Sequence, residues 1–367
     1  MSKDVEFIGF VGTHYESEVH PAEGPGIDRD YIRALAQAQE YGGFDRFLVA
    51  FHSTSPESQH IAAYAASVTE RINLMIAHRP GFTAPTVAAR QLATLDHLTK
   101  GRAGVHIITG GNDQELGQDG DFLTKDERYA RTSEYLDVVK ASWTSETPFD
   151  YDGQYYRFDR AFSNVKPIQK PHLPVYFGGS SEAAIGVAGK HADVYALWGE
   201  THAQVRETIT RVRAAAARHG REHHVRFSLS FRPILAETED RAWARAEALL
   251  ERIKAVRAAK GLGAAAPPPN EGARRLLAAA AQGDRLDKRL YTAIAAVTGA
   301  QGNSTALVGT GEQVADALLD YYDLGVTTFL IRGFEPLEDA VQYGRDLIPA
   351  FRRLLNERSS QHAVAAE

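Results

Sequence analysis

Short apolar runs alternate along the chain with longer stretches in which apolar positions recur every three or four residues, the helical spacing. The runs Val5 to Val11, Arg46 to Ala50, Ile72 to Ala77, Ala103 to Ile108, Val175 to Phe177, Val194 to Trp198, Val225 to Leu235 and Val326 to Ile331 read as eight strands. Helices are predicted between them over Tyr31 to Tyr41, Ser58 to Ser67, Lys125 to Ala141 and His202 to Arg218, with a closing helix over Leu337 to Leu354. One more helix opens at Pro85, places Ala88, Leu92, Leu95 and Leu98 on one face, and has Gly101 just past its end. Another starts at Thr238 and carries Ala242, Ala246, Leu249 and Ile253 on one face. Thr310 and Gln313 form a capping-box pattern ahead of Val314, Leu318 and Tyr321. Asp150 to Phe158 departs from the repeat and reads as a β-hairpin around Asp152-Gly153.

Strands separated by single helices call for a parallel sheet with crossover helices. Eight of them in unbroken succession predict a closed (β/α)₈ barrel, an α/β fold, over a doubly wound open sheet. The expected layout is a single barrel over residues 1–357, an insertion at about 261–302 before the last repeat, and a disordered tail over 358–367. The insertion is rich in Ala, Pro and Gly, with Pro267-Pro268-Pro269 and scattered Arg274, Arg275, Arg285, Lys288 and Arg289. Two readings fit it: a lid over the barrel mouth, or a solvated surface excursion.

Composition narrows the function. A net charge of −6 leaves no basic footprint for nucleic acid. No stretch approaches eighteen consecutive apolar residues, and MSKDVEF is not a charged segment followed by an apolar one, so neither membrane span nor secretion signal is expected. The absence of cysteine excludes disulfides, thiolate metal sites and a cysteine nucleophile. A cytoplasmic enzyme is the expectation.

Barrel active sites lie at the carboxyl ends of the strands. Those ends carry Thr13-His14, Phe51-His52-Ser53-Thr54-Ser55, His78-Arg79-Pro80, His106 to Gly111, Gly178-Gly179-Ser180-Ser181, Trp198-Gly199-Glu200, Ser230 with Arg232, and Arg332-Gly333-Phe334. The Gly-Gly-Ser-Ser turn combines backbone that a ligand can approach with two hydroxyls and free N–H groups at a helix start, which suits a phosphate or merely caps the helix. Tyr129 is a candidate phenol for the same anion, or a core side chain. His14, His52, His78 and His106 all fall at strand ends. No metal-ligand spacing or nucleophile elbow stands out, which points to an organic cofactor.

In order along nearly the whole chain, the segments His78-Arg79-Pro80, Thr86-Val87-Ala88-Ala89-Arg90-Gln91, Ala93-Thr94-Leu95-Asp96, Gly101-Arg102, Thr109-Gly110, Gln114-Glu115-Leu116 and Glu127-Arg128-Tyr129 resemble the FMNH₂-dependent alkanesulfonate monooxygenases of the bacterial luciferase-like superfamily. So do Tyr176 to Ser181, Trp198-Gly199-Glu200, Thr305 to Gly309 and Leu337-Glu338. The resemblance implies reduced FMN as cosubstrate, O₂ activation, and a separate NAD(P)H:flavin reductase as supplier, in a homodimer or homotetramer. It assigns FMN to His106, Thr109, Tyr129, Gly179, Ser180 and Ser181.

The substrate pocket departs from the pattern. Where the family's seventh strand brings an arginine and a histidine, this chain has Ser230 and Arg232. The lid's Val-Arg-Gly-Gly run reads Gly299-Ala300-Gln301-Gly302, a tyrosine after the eighth strand is Phe334, and a cysteine after the second is Ser55, while Trp198 is retained. The expected substrate-side residues are therefore Arg232, His14, Trp198 and Ser55. Arg232 is the candidate anion receptor, or else it pairs with a carboxylate such as Glu200. The expected activity is an FMNH₂- and O₂-dependent monooxygenase acting on a small organosulfur compound, an alkanesulfonate with sulfite release among the candidates. The alternatives are a deazaflavin (F420)-dependent oxidoreductase and a flavin monooxygenase of the same superfamily acting on a non-sulfonate substrate.

Overall fold

The computed structural model describes residues 5–262 and 270–365, with side chains through residue 361. Eight parallel strands close into a barrel: β1 (Glu6–Phe10), β2 (Arg46–Val49), β3 (Asn73–His78), β4 (Val105–Ile107), β5 (Val175–Gly178), β6 (Val194–Trp198), β7 (Arg226–Phe231) and β8 (Val326–Ile331). Around the barrel the order is β1-β8-β7-β6-β5-β4-β3-β2, so each strand lies beside its successor in sequence. This is the (β/α)₈ architecture that the strand–helix alternation predicts.

The chain divides into two compact units. One comprises residues 48–196 and 210–225; the other comprises 1–47, 197–209 and 226–367. In the first, β3, β4 and β5 align Ala77 with His106 and His106 with Tyr176. Several residues of the conspicuous motifs are structural here. Asp96 accepts the backbone N–H groups of Ile168 and Gln169, and Arg102 donates to the carbonyls of Ile72, Ala66, Thr69 and Thr99. The hairpin forms from Phe149–Asp152 and Arg157–Ala161, and its turn spans more than Asp152-Gly153. The Glu134 carboxylate accepts from the N–H groups of Gln154, Tyr155 and Tyr156 at 2.8, 2.8 and 3.2 Å. A helix side chain thus satisfies amides that a longer turn leaves over.

In the second unit, Phe7 of β1 and Phe329 of β8 pack their rings on Phe351 of the closing helix at 5.3 and 5.4 Å. Three expectations change here. The strand expected over Val225 to Leu235 breaks at Arg232-Pro233. Pro233 has no N–H for a ladder, and the Arg232 N–H donates to the Thr305 carbonyl at 3.0 Å. Ile234–Leu235 instead joins a separate four-stranded sheet beside Ala306–Gly309, Leu290–Tyr291 and Arg285–Leu286. The insertion thereby acquires its own packing: Ala242, Ala246, Leu249 and Ile253 lie in one buried cluster with Tyr291, Ile294 and Val308. The expected Pro267-Pro268-Pro269 run lies outside the described residues. Lastly, the closing segment is Pro336–Gln342, a π-helical turn over Tyr343–Leu347, and a helix over Ile348–Ala365. It covers residues 358–365 of the stretch expected to be a disordered tail. The Ser359 and Ser360 hydroxyls there donate to the Leu355 and Asn356 carbonyls one turn back.

Candidate active site

Within the first unit, β5 ends in the Gly-Gly-Ser-Ser turn and Ser181 caps the helix Glu182–His191, its hydroxyl accepting from the Ala184 N–H at 3.3 Å. Gly179 has φ +138°, and a Cβ there would meet Ala184 Cβ at 2.8 Å and the Tyr129 hydroxyl at 2.9 Å. A side chain at Gly178 would meet the Ala196 carbonyl at 3.0 Å. Gly179 is therefore required by its φ and by close approach, and Gly178 is tightly flanked. The Tyr195 hydroxyl donates to the Gly179 carbonyl at 2.5 Å and fixes the peptide's orientation. Ser180 stands partly exposed between them. Tyr129 is buried, its phenol pKa is raised by desolvation, and it is hydrogen-bonded to Ser181. The result is a concave turn with N–H groups at a helix start and two hydroxyls beside it, the chemistry of an oxyanion site.

His106 alternates with buried Val105 and Ile107, so its ring lies on the opposite face of β4 from theirs. Desolvation pushes its pKa down to about 4, keeping it neutral, and Nδ1 has no hydrogen-bond partner among the described residues. A buried ring nitrogen left over in this way invites a ligand donor or acceptor. Thr109, also buried, lies 3.3 Å from the Thr132 hydroxyl.

The other histidines of this unit divide. His78 is committed to Tyr135, with Nε2 2.6 Å from the phenol and a pKa pushed down to about 4 by burial. His52 is exposed, 3.6 Å from Glu115. Ser55 makes a local turn, accepting from the His52 N–H at 2.8 Å and donating to its carbonyl at 2.9 Å. Arg79 is buried against Glu115 at 2.8 Å and donates to the Ser53 hydroxyl at 3.1 Å. It lies on a cavity of about 510 Å³ lined also by Phe51, Ser58, His78, Phe82 and Gln91.

In the second unit, Arg232 is 1% exposed, and its guanidinium grips both oxygens of Glu18, Nη1 to Oε1 at 2.7 Å and Nη2 to Oε2 at 2.8 Å. Nη2 also donates to the Gly333 carbonyl at 2.8 Å, and the cation lies 3.9 Å from the centre of the Phe334 ring. Burial would raise the Glu18 carboxyl, but Arg232 and Arg332 outweigh it and hold it well below the usual carboxylate range. The alternative partner Glu200 is not the one used: it is buried against Arg275, which meets both its oxygens at 2.8 Å. Arg275 belongs to the insertion, as does Gly272, whose backbone lies against the Trp198 ring with room for a Cβ at only 3.0 Å. His14 has Nδ1 3.2 Å from the Gly26 carbonyl and Nε2 3.2 Å from Glu16.

The sequence reading missed Glu18. It lies in the loop after β1 and no local motif marks it; only its conjunction with two arginines from distant strands gives it meaning. The side-chain polar atoms of Asn303 and Ser304 are buried and have no hydrogen-bond partners among the described residues.

No group of three or more His, Asp or Glu side chains able to hold a metal occurs among the described residues, and no helix there is long and apolar enough to cross a membrane. Residues 5–328 match the luciferase-like monooxygenase family. Among solved structures, riboflavin lyase superposes with a TM-score of 0.79 at 19% identity, over 97% of this chain and 92% of that one. The EDTA monooxygenase of Chelativorans sp. BNC1 gives 0.77 at 19%, over 97% and 94%. An F420-dependent secondary alcohol dehydrogenase gives 0.69 at 17%, over 95% and 99%. At such identities the likeness is one of fold, and the family match over most of its length carries the assignment: the chain is a member of the luciferase-like monooxygenase family.

Proposed function

We propose that the protein is a two-component, FMNH₂- and O₂-dependent monooxygenase acting on a small organosulfur compound, with a separate NAD(P)H:flavin reductase supplying the reduced flavin. The observation that carries the cofactor half is the turn at Gly178 to Ser181. Gly179 leaves no room for a Cβ, and the helix start and Tyr129 phenol are suited to a phosphate monoester. Ser180, Ser181, Tyr129 and the backbone of Gly179 would hold the FMN phosphate; neutral His106 and Thr109 would hydrogen-bond the flavin. Reduced flavin, when bound, supplies the electrons that activate oxygen. The chain's own part is to bind, orient and exclude water. For the last of these we assign the insertion at 261–302, which already packs Gly272 on Trp198. His14 and Trp198 would serve the substrate side in this reading, in a homodimer or homotetramer.

Hydride transfer from F420 is the competing reading, because F420-dependent enzymes share the fold. Anaerobic titration separates the two. The proposal expects reduced FMN to bind tightly, oxidised FMN weakly, and reduced F420 not to compete. Tight binding of F420 with indifference to FMN would overturn it.

A further inference from the structure

The rings of Phe7, Phe329 and Phe351 pack together, so Phe7 and Phe329 face the closing helix. Strand alternation then turns Ile8 and Leu330 toward the barrel interior, and the ladder aligns Leu330 with Ser230. Two residues on, the same parity gives Phe10 at the end of β1 and Arg332 just past β8, whose guanidinium lies 5.2 Å from the centre of the Phe10 ring. Arg332 and Arg232 converge on one carboxylate. Arg232 takes both oxygens of Glu18, while Arg332 reaches only Oε1, through Nη2 at a longer 3.3 Å. Arg232 is 1% exposed and further occupied by the Gly333 carbonyl and the Phe334 ring. Arg332 is 30% exposed. Both guanidiniums pair with the one Glu18 carboxylate, while Glu16, paired with His14, attracts Arg332 only at longer range, so the more open guanidinium keeps unfilled donors. Desolvation and the neighbouring Arg232 pull the Arg332 pKa down to about 10 against the attraction of Glu18 and Glu16, and it is still cationic at neutral pH.

We propose that Arg332 is the receptor for a single anionic group on the substrate, a sulfonate or carboxylate, and that Glu18 permanently occupies the Arg232 half of the pair. The inference rests on the monooxygenase reading above and moves the anion-binding role from Arg232, where the sequence places it, to Arg332. A guanidinium presents two parallel N–H groups to such an anion, and a cation with unfilled donors selects an anion over a neutral analogue.

The experiment is calorimetric titration of the full chain with hexanesulfonate, heptanoate and hexyl methyl sulfone, beside an anaerobic titration with reduced FMN. Wild type is expected to favour the two anions over the neutral sulfone. Arg332→Gln should weaken both anions by roughly tenfold to a hundredfold while leaving the sulfone and reduced FMN within about twofold. Arg332→Lys should recover part of the loss, since it restores charge but not the fork. Glu18→Gln, which removes the competing carboxylate, should tighten the anions. Unchanged anion affinity in Arg332→Gln, or no preference for anion over sulfone in wild type, overturns the assignment. Failure of wild type to bind reduced FMN would instead defeat the monooxygenase reading, and the anion titration would still decide Arg332.

Discussion

Arg232 and Glu18, 214 residues apart in sequence, meet through two parallel hydrogen bonds of 2.7 and 2.8 Å. A buried arginine so engaged is part of the scaffold, and its removal leaves a carboxylate without its main partner. Arg232→Ala should therefore cost on the order of 3 kcal/mol of stability. The double variant Arg232→Met, Glu18→Leu should recover most of that, because neither charge remains to be buried alone. Urea unfolding of the two variants checks this. A double variant as unstable as the single one would mean that the ion pair is not what the fold loses.

Ser181 offers a substitution that separates capping from ligand binding. Aspartate is as good an N-cap as serine, so Ser181→Asp should leave the melting temperature near the wild-type value. It also places a negative charge beside the proposed phosphate position, and reduced FMN should bind at least tenfold more weakly, with riboflavin much less affected. Equal affinity for FMN in wild type and variant would remove the phosphate from this turn.

At Gly179 both φ and space forbid a side chain. Gly179→Ala should destabilise the protein by about 1–3 kcal/mol, since a Cβ would press on Ala184 and on the Tyr129 hydroxyl. Displacing that phenol should weaken FMN as well, which an anaerobic titration would read.

Acid stability should follow the buried histidines. His78 and His106 are held neutral, with pKa values of about 4 against an unfolded value near 6.5. Between those values the unfolded chain binds more protons, so stability is fully present above about pH 6.5 and is lost as pH falls toward 4. Each contributes up to about 3 kcal/mol to that loss. His106→Gln should flatten the profile of unfolding free energy between pH 6.5 and 4. An unaltered slope would show that His106 is already protonated or solvated in the native state.

The barrel was legible because its evidence is periodic: eight strand-like runs, helix stops such as Gly101, and the Thr310–Gln313 capping box all recur in the structure. The break at Pro233 was legible in principle, since a proline cannot continue a ladder, but the destination of Ile234-Leu235 depended on a partner more than seventy residues away. The local geometry of the Gly179 to Ser181 turn was readable because a positive φ and a helix N-cap are set within a few residues. The pairing of the charged residues was not. The character of Arg232 is set by Glu18, an unremarkable loop residue, and that of Glu200 by Arg275 from the insertion. Long-range charge pairing leaves no local signature.

The central claim, that this chain uses reduced FMN and O₂ to oxygenate an organosulfur substrate, is tested most directly by a single turnover. Reduced FMN bound to the protein is mixed with ¹⁸O₂ in the presence of short sulfonates, sulfones and thioethers, and the products are weighed by mass spectrometry. The account predicts that one of these compounds gains one ¹⁸O atom per reduced flavin consumed, with hydrogen peroxide release suppressed in its presence. Flavin oxidation that yields only hydrogen peroxide with every organosulfur compound, or no reaction of the bound flavin with O₂, would contradict it.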